Sequence, residues 1–194
     1  MATLLILLSY YPKSYTIDCF RNDAFYPISS NLRANNMPDL HELYQDLIID
    51  HGRHPRHFGA LLTANRQAEG FNPLCGDRLT LYLEIEANVI KDVTFKGVGC
   101  AISIASASLM AEQLIGKTEA AAQILFQAFH QQLTTEHSTN VDNNLGKLTA
   151  LSGVRAFPTR VKCATLAWHT LQAALSKTTQ AAQPAFVSTE GEDA

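Results

Sequence analysis

Between Arg78 and Glu86 the chain alternates without a break. Leu79, Leu81, Leu83 and Ile85 fall on one face, and Arg78, Thr80, Tyr82, Glu84 and Glu86 fall on the other. Successive side chains of an extended chain point to opposite faces, so this pattern predicts a strand with one buried side. Ala87-Asn88 can turn the chain into a second strand through Val89, Val93 and Phe95, and Arg66 to Phe71 supplies a third. The expectation is a small antiparallel three-stranded sheet. Its apolar face needs a cover, and the remainder of the chain reads as helix, which makes the fold class α+β.

Leu40, Leu43, Tyr44, Leu47 and Ile48 recur at helical spacing behind Asp39, with Glu42 three residues on, so an amphipathic helix with a capping signal starts there. His51-Gly52 is its expected stop. A second helix is expected from Ala101 to Gly116, with first turns rich in Ala and Ser that permit close approach. A third covers Thr118 to Leu133, a polar connection runs from Thr134 to Asn144, and Leu145 to Leu151 adds a short helix. The last helix is expected from about Val161 to Ser176, with Ala164, Trp168, Leu171 and Leu175 on its apolar side.

A chain of 194 residues with 46% hydrophobic and 17% charged residues can bury one sizeable core. The domain is placed at residues 37–177, between a leader (1–36) and a tail (178–194) that reads as disordered. Leu4 to Leu8 has no basic flank before it and is too short to span a bilayer, so no export signal or membrane anchor is read. The leader is taken as disordered or as the product of a different start codon. Its Cys19 is left out of any site.

A net charge of -3 offers no basic stripe for phosphates, so nucleic acid is not an expected partner. Four cysteines are too few for a secreted disulfide scaffold, and a cytoplasmic home would keep them reduced.

Three cysteines lie at expected element ends. Cys75 sits in the turn Asn72-Pro73-Leu74-Cys75-Gly76-Asp77, Cys100 at a helix entrance, and Cys163 in the expected first turn of the last helix. A helix entrance favours thiolate over thiol, so these addresses read as outward-facing and reactive. Asp77, across a glycine turn from Cys75, can add an oxygen to three sulfurs, a set that suits zinc or ferrous iron rather than calcium or magnesium. Free cysteine is also a common buried apolar residue, and these spacings match no local zinc signature, so spacing alone leaves both readings open.

Other residues carry less. His51, His54 and His57 form a ladder around a turn where a rigid metal site is hard to build, and ordinary surface histidine is the preferred reading. Ser103, Ser106 and Ser108 have no nucleophile elbow nearby and read as packing residues, as Trp168 reads as core.

Three motifs settle the choice by resemblance: Asn72-Pro73-x-Cys75-Gly76-Asp77, then Gly97-x-Gly99-Cys100-Ala101-Ile102-Ser103-x-Ala105-Ser106. The third is Val154-Arg155-x-Phe157-Pro158-x-Arg160-Val161-Lys162-Cys163-Ala164-x-Leu166-x-Trp168. They follow Leu43-Tyr44-x-x-x-Ile48-x-Asp50-His51 and Pro55-Arg56-x-Phe58-Gly59. In this order, over about residues 38 to 177, the chain resembles the U-type iron–sulfur cluster assembly proteins (NifU N-terminal/IscU-like), in their SufU branch.

The resemblance implies a compact SufE/NifU-like α+β sandwich and metal ligands at Cys75, Asp77, Cys100 and Cys163. It also implies that Cys75 accepts sulfur from a SufS-like cysteine desulfurase and relays it to a downstream SUF assembly complex. Zinc is the implied metal; iron, or a transient iron–sulfur cluster held by Cys75, Cys100 and Cys163, belongs to the alternative of a cluster-building scaffold. Lys162, where scaffold members have His, and a longer insertion ahead of Arg155 resemble the sulfur-relay branch. Arg160, one turn before Cys163, is expected to pair with Asp77 and steady the ligands.

Overall fold

The computed structural model describes residues 39–135, 145–176 and 185–189, all within the unit Met37–Ala194. The expected leader, residues 136–144 of the polar connection, and most of the tail lie outside the described residues.

Strands β1 (Arg66–Asn72), β2 (Asp77–Glu86) and β3 (Val89–Val98) form the expected antiparallel meander. Ala87 and Asn88 both adopt positive φ, 49° and 63°, the geometry of a two-residue hairpin turn whose twist matches its strands. The alternation in β2 is realised in full: Leu79, Leu81, Leu83 and Ile85 are buried, together with Ile90, Val93 and Phe95 of β3.

Helices α1 (Leu40–Arg53), α2 (Ala101–Leu114), α3 (Glu119–Thr134) and α4 (Pro158–Ser176) supply the cover, with a 3-10 segment at Gly146–Ala156. α4 lies on β1 and β2, α2 on β3, and α1 and α3 pack outside them on α2 and α4 respectively. Trp168 is fully buried and stacked on Phe129 with ring centroids 4.7 Å apart, and its indole N–H donates to Ser106 Oγ at 3.2 Å. The serines of α2 are packing residues: Ser106 Oγ donates to the Ala164 carbonyl at 2.6 Å, tying α2 to α4.

Four details differ from the sequence expectation. Asp39 does cap α1, accepting the His41 N–H, but Leu40 and Leu43 are 59% and 47% exposed, while Leu47 and Ile48 pack on the core and His51 is buried. Gly52 is not a stop but a point of close approach, since a Cβ there would stand 3.1 Å from Ala101 Cβ. α4 begins three residues earlier than expected, because Pro158 occupies a first-turn position where its missing N–H costs nothing.

The fourth detail is a short strand, β4 (Ala185–Ser188), within the region read as a disordered tail. It pairs in parallel with β1 and completes the order β3-β2-β1-β4. Its sequence, Ala-Phe-Val-Ser, has the strand propensity to occupy the open edge of β1, but four residues are too few to show a period.

Candidate metal centre

The β1–β2 hairpin sets Cys75. Asn72 and Asp77 face each other across its base, and the four residues between them close through a hydrogen bond from Gly76 N–H to the Asn72 carbonyl at 2.8 Å. Gly76 sits at φ 73°, a conformation an L side chain rarely adopts, and this fold-back leaves Cys75 exposed at the tip. The buried Asn72 side chain works in two directions. Its Oδ1 accepts the Leu74 N–H at 3.1 Å, and its amide nitrogen lies 3.6 Å from Cys163 Sγ. Asn72 was not singled out as a site residue, although an Asn before Pro in a turn is a signal for such a side-chain-to-backbone bond.

β2 begins with Asp77, whose side chain is turned inward and whose residue is only 2% exposed. Its Oδ1 accepts the Cys100 N–H at 2.9 Å, at the N-terminus of α2. Gly99 permits that contact, since a Cβ there would stand 3.1 Å from the Asp77 carboxyl carbon. Asp77 Oδ2 is buried and has no hydrogen-bond partner among the described residues. A buried carboxylate oxygen without a partner is costly unless a cation or a proton meets it.

Cys163 arrives from α4. Because that helix starts at Pro158, Cys163 stands in its second turn rather than its first, and it is fully buried rather than outward-facing. Its Sγ lies 3.0 Å from Cys75 Sγ and 3.5 Å from the Thr159 carbonyl. Burial above all, then the hydrogen bond with Cys75 and the negative charge of Cys100 and Asp77, pushes the Cys163 thiol far above its ordinary range.

Ligand atoms of Cys75, Asp77 and Cys163 therefore lie within 4.8 Å of one another. The half-buried Cys100 contributes its N–H to Asp77, while its sulfur does not join the three within that radius. The expected pairing of Arg160 with Asp77 is not formed. The exposed Arg160 guanidinium instead faces the sulfurs of Cys100, Cys163 and Cys75, whose negative charge raises its pKa further above the ordinary value. Asp77 is instead turned inward onto the Cys100 N–H.

The chemistry of the donor set fits a thiophilic divalent ion. Two sulfurs and one carboxylate oxygen converge, with a third thiol beside them, and such donors suit zinc or ferrous iron. The histidine ladder does not converge. His51 is buried with Nδ1 2.8 Å from Ser108 Oγ, so it is not the surface residue expected, while His54 is exposed beside Asp50 at 3.3 Å and His57 occupies a positive-φ position.

Fold and site together define an α+β domain with a cysteine–aspartate group at one end of its sheet that could hold a metal ion. The chain belongs to the family of the NifU-like N terminal domain, whose model matches residues 43–183. It is 37% identical over 140 residues to the zinc-dependent sulfurtransferase SufU of Bacillus subtilis, covering 72% of this chain and 93% of that protein. It is 40% identical over 136 residues to the iron–sulfur cluster assembly scaffold protein IscU of Thermotoga maritima, covering 70% and 94%. Among solved structures, it superposes with a TM-score of 0.64 on a candidate assembly scaffold protein for the SUF system from Fervidobacterium islandicum. That match has 37% identity and covers 71% of this chain and 99% of the other.

Proposed function

We propose that this chain is an iron–sulfur cluster assembly protein that accepts sulfur at Cys75 from a cysteine desulfurase and relays it to a downstream SUF assembly complex. The observation that carries the reading is the asymmetry of the thiols. Cys75 is exposed at the tip of a glycine turn, while its neighbour Cys163, 3.0 Å away, is buried in a helix. One thiol can reach a partner and the other stays fixed.

In this reading Cys75, Asp77, Cys100 and Cys163 hold zinc. When bound, zinc supplies the positive charge that keeps buried sulfur ionised near neutral pH. The residues do the rest. The Cys75 thiolate attacks the outer sulfur of the desulfurase's cysteine persulfide, forming a new S–S bond. The bond between that sulfur and the partner's cysteine breaks, and the partner cysteine leaves as a thiolate with the electron pair, so no external oxidant or reductant is needed. Arg160, facing the three sulfurs, offsets the negative charge that gathers there during the exchange.

Leu74, Val98 and Phe157 are exposed on the three segments that lead to the thiols, and they supply an apolar rim for a protein partner. The working unit lies within Met37–Ala194, whose sheet includes β4, and acts in the cytoplasm, where thiols stay reduced. No helix among the described residues is long and apolar enough to cross a membrane.

The second reading is a scaffold on which a nascent cluster is built on Cys75, Cys100 and Cys163. It is favoured by the similarity to a protein named as a scaffold. Against it stands Lys162 in the position before the last cysteine: its side chain lines a cavity with His130 and His169 and offers no ligand. The test is transfer of labelled sulfur from a cysteine desulfurase. Label is expected on the wild type and absent from Cys75→Ala; labelling of Cys75→Ala at the wild-type level would remove the assignment.

A further inference from the structure

Cys75 and Cys163 carry the same functional group with their sulfurs 3.0 Å apart, so proximity alone does not decide which of them takes a sulfur atom. Exposure separates them for an incoming partner. A second difference lies beneath the turn, in the fully buried side chain of Asn72, the last residue of β1.

Three bonds meet at Asn72. Its backbone carbonyl accepts the Gly76 N–H at 2.8 Å and its Oδ1 accepts the Leu74 N–H at 3.1 Å, so the turn that carries Cys75 closes on this one residue. A backbone N–H can only donate. It therefore fixes the oxygen end of the Asn72 amide toward Leu74 and the nitrogen end toward Cys163 Sγ, 3.6 Å away.

The neighbours of Cys163 Sγ differ in what they can offer it. The Thr159 carbonyl, at 3.5 Å, only accepts and so suits a protonated thiol. The nitrogen end of the Asn72 amide only donates and so suits the thiolate that a metal ion requires. A thiolate that accepts an N–H bond is favoured in its charged form and is the weaker nucleophile for it. Cys75 Sγ, by contrast, meets the sulfur of Cys163, and its turn is held through the backbone.

We propose that Asn72 is a positioning residue for the sulfur relay: its amide N–H anchors the Cys163 sulfur while its oxygen holds the turn, so that Cys75 is the thiol that takes the sulfur. This role rests on the sulfur-relay reading. Asn72 acts through Cys163 and does not itself touch the incoming sulfur.

Asn72→Asp isolates the donor. The variant keeps an oxygen for the Leu74 N–H and the backbone bond to Gly76, and it replaces the N–H facing Cys163 with a second oxygen. Persulfide formed on Cys75 should then pass to Cys163: the Cys163 sulfur bonds to the outer sulfur, and Cys75 leaves as a thiolate with the electron pair. Mass spectrometry after incubation with a cysteine desulfurase and cysteine should find the share of persulfide on Cys163 raised by about tenfold over the wild type. The wild type supplies a measurement that does not depend on the variant. Loaded with NMR-active cadmium, it should show scalar coupling between the metal and the Asn72 side-chain amide proton, carried through Cys163 Sγ. Absence of that coupling, or persulfide confined to Cys75 in Asn72→Asp as in the wild type, would overturn the role of Asn72 and leave the relay reading standing. Absence of persulfide from both wild-type thiols would overturn the relay reading and this role with it.

Discussion

The carboxylate of Asp77 accepts the backbone N–H of Cys100 at 2.9 Å through Oδ1, while its Oδ2 is buried without a hydrogen-bond partner among the described residues. One oxygen thus fixes the entrance of α2, and the other is unpartnered, as the proposed metal site requires. Asp77→Asn keeps an acceptor for the Cys100 N–H but removes the negative charge. It should remain folded and lose metal affinity by at least about tenfold, measured by competition with a chelator. Asp77→Ala should lose both the metal and the α2 contact, so a wild-type metal affinity in either variant would contradict the role given to Asp77.

Glycine at two positions shapes the site for different reasons. Gly76→Ala meets a φ of 73°, and the strain should cost about 1 kcal/mol of stability. Gly99→Ala puts a methyl 3.1 Å from the Asp77 carboxyl carbon, so its effect should fall on metal affinity more than on folding. Chemical denaturation of the metal-free variants beside metal titration separates the two. The reverse ranking would count against the geometry described.

The exposed and buried thiols should respond differently to substitution. Cys75→Ser, at a turn tip, should leave the stability of the metal-free protein within about 0.5 kcal/mol of the wild type, whereas Cys163→Ala should lower it by about 1 kcal/mol. Mass spectrometry after incubation with a desulfurase should find the persulfide on Cys75 of the wild type. Finding it on Cys163 instead would reverse the assignment.

His51 gives the fold a pH dependence of its own. Burial first, and then the positive charge of Arg56, holds its pKa below the ordinary 6.5. The unfolded chain therefore takes up a proton that the folded chain refuses. Stability should fall as pH drops through about 6.5, and the loss should level off below the depressed folded value. Melting temperatures between about pH 8 and about pH 5.5 should show this slope in the wild type and a shallower one in His51→Gln. Identical profiles would mean that His51 carries none of the effect.

Much of the architecture was legible because it rests on local periodicity. The unbroken alternation of β2 and the helical spacing of Trp168, Leu171 and Leu175 each describe one buried face, and the structure buries both. What escaped were tertiary choices. The pattern of α1 shows that Leu40 and Leu43 are apolar but not that they stay exposed. Four residues of β4 carry too little period to be read. At the site, the turn placed Cys75 and Asp77 together, as found, whereas Arg160 facing the sulfurs and the lateral position of Cys100 depend on where α4 and α2 land. The link from Asn72 to Cys163 spans 91 residues and has no local trace.

The most direct test of the account is metal and sulfide content of the chain purified without oxygen, followed by turnover of a cysteine desulfurase with the chain added. The sulfur-relay reading predicts roughly one zinc per chain, no coloured cluster and a faster desulfurase. A brown protein carrying iron and acid-labile sulfide, with no effect on the desulfurase, would contradict it.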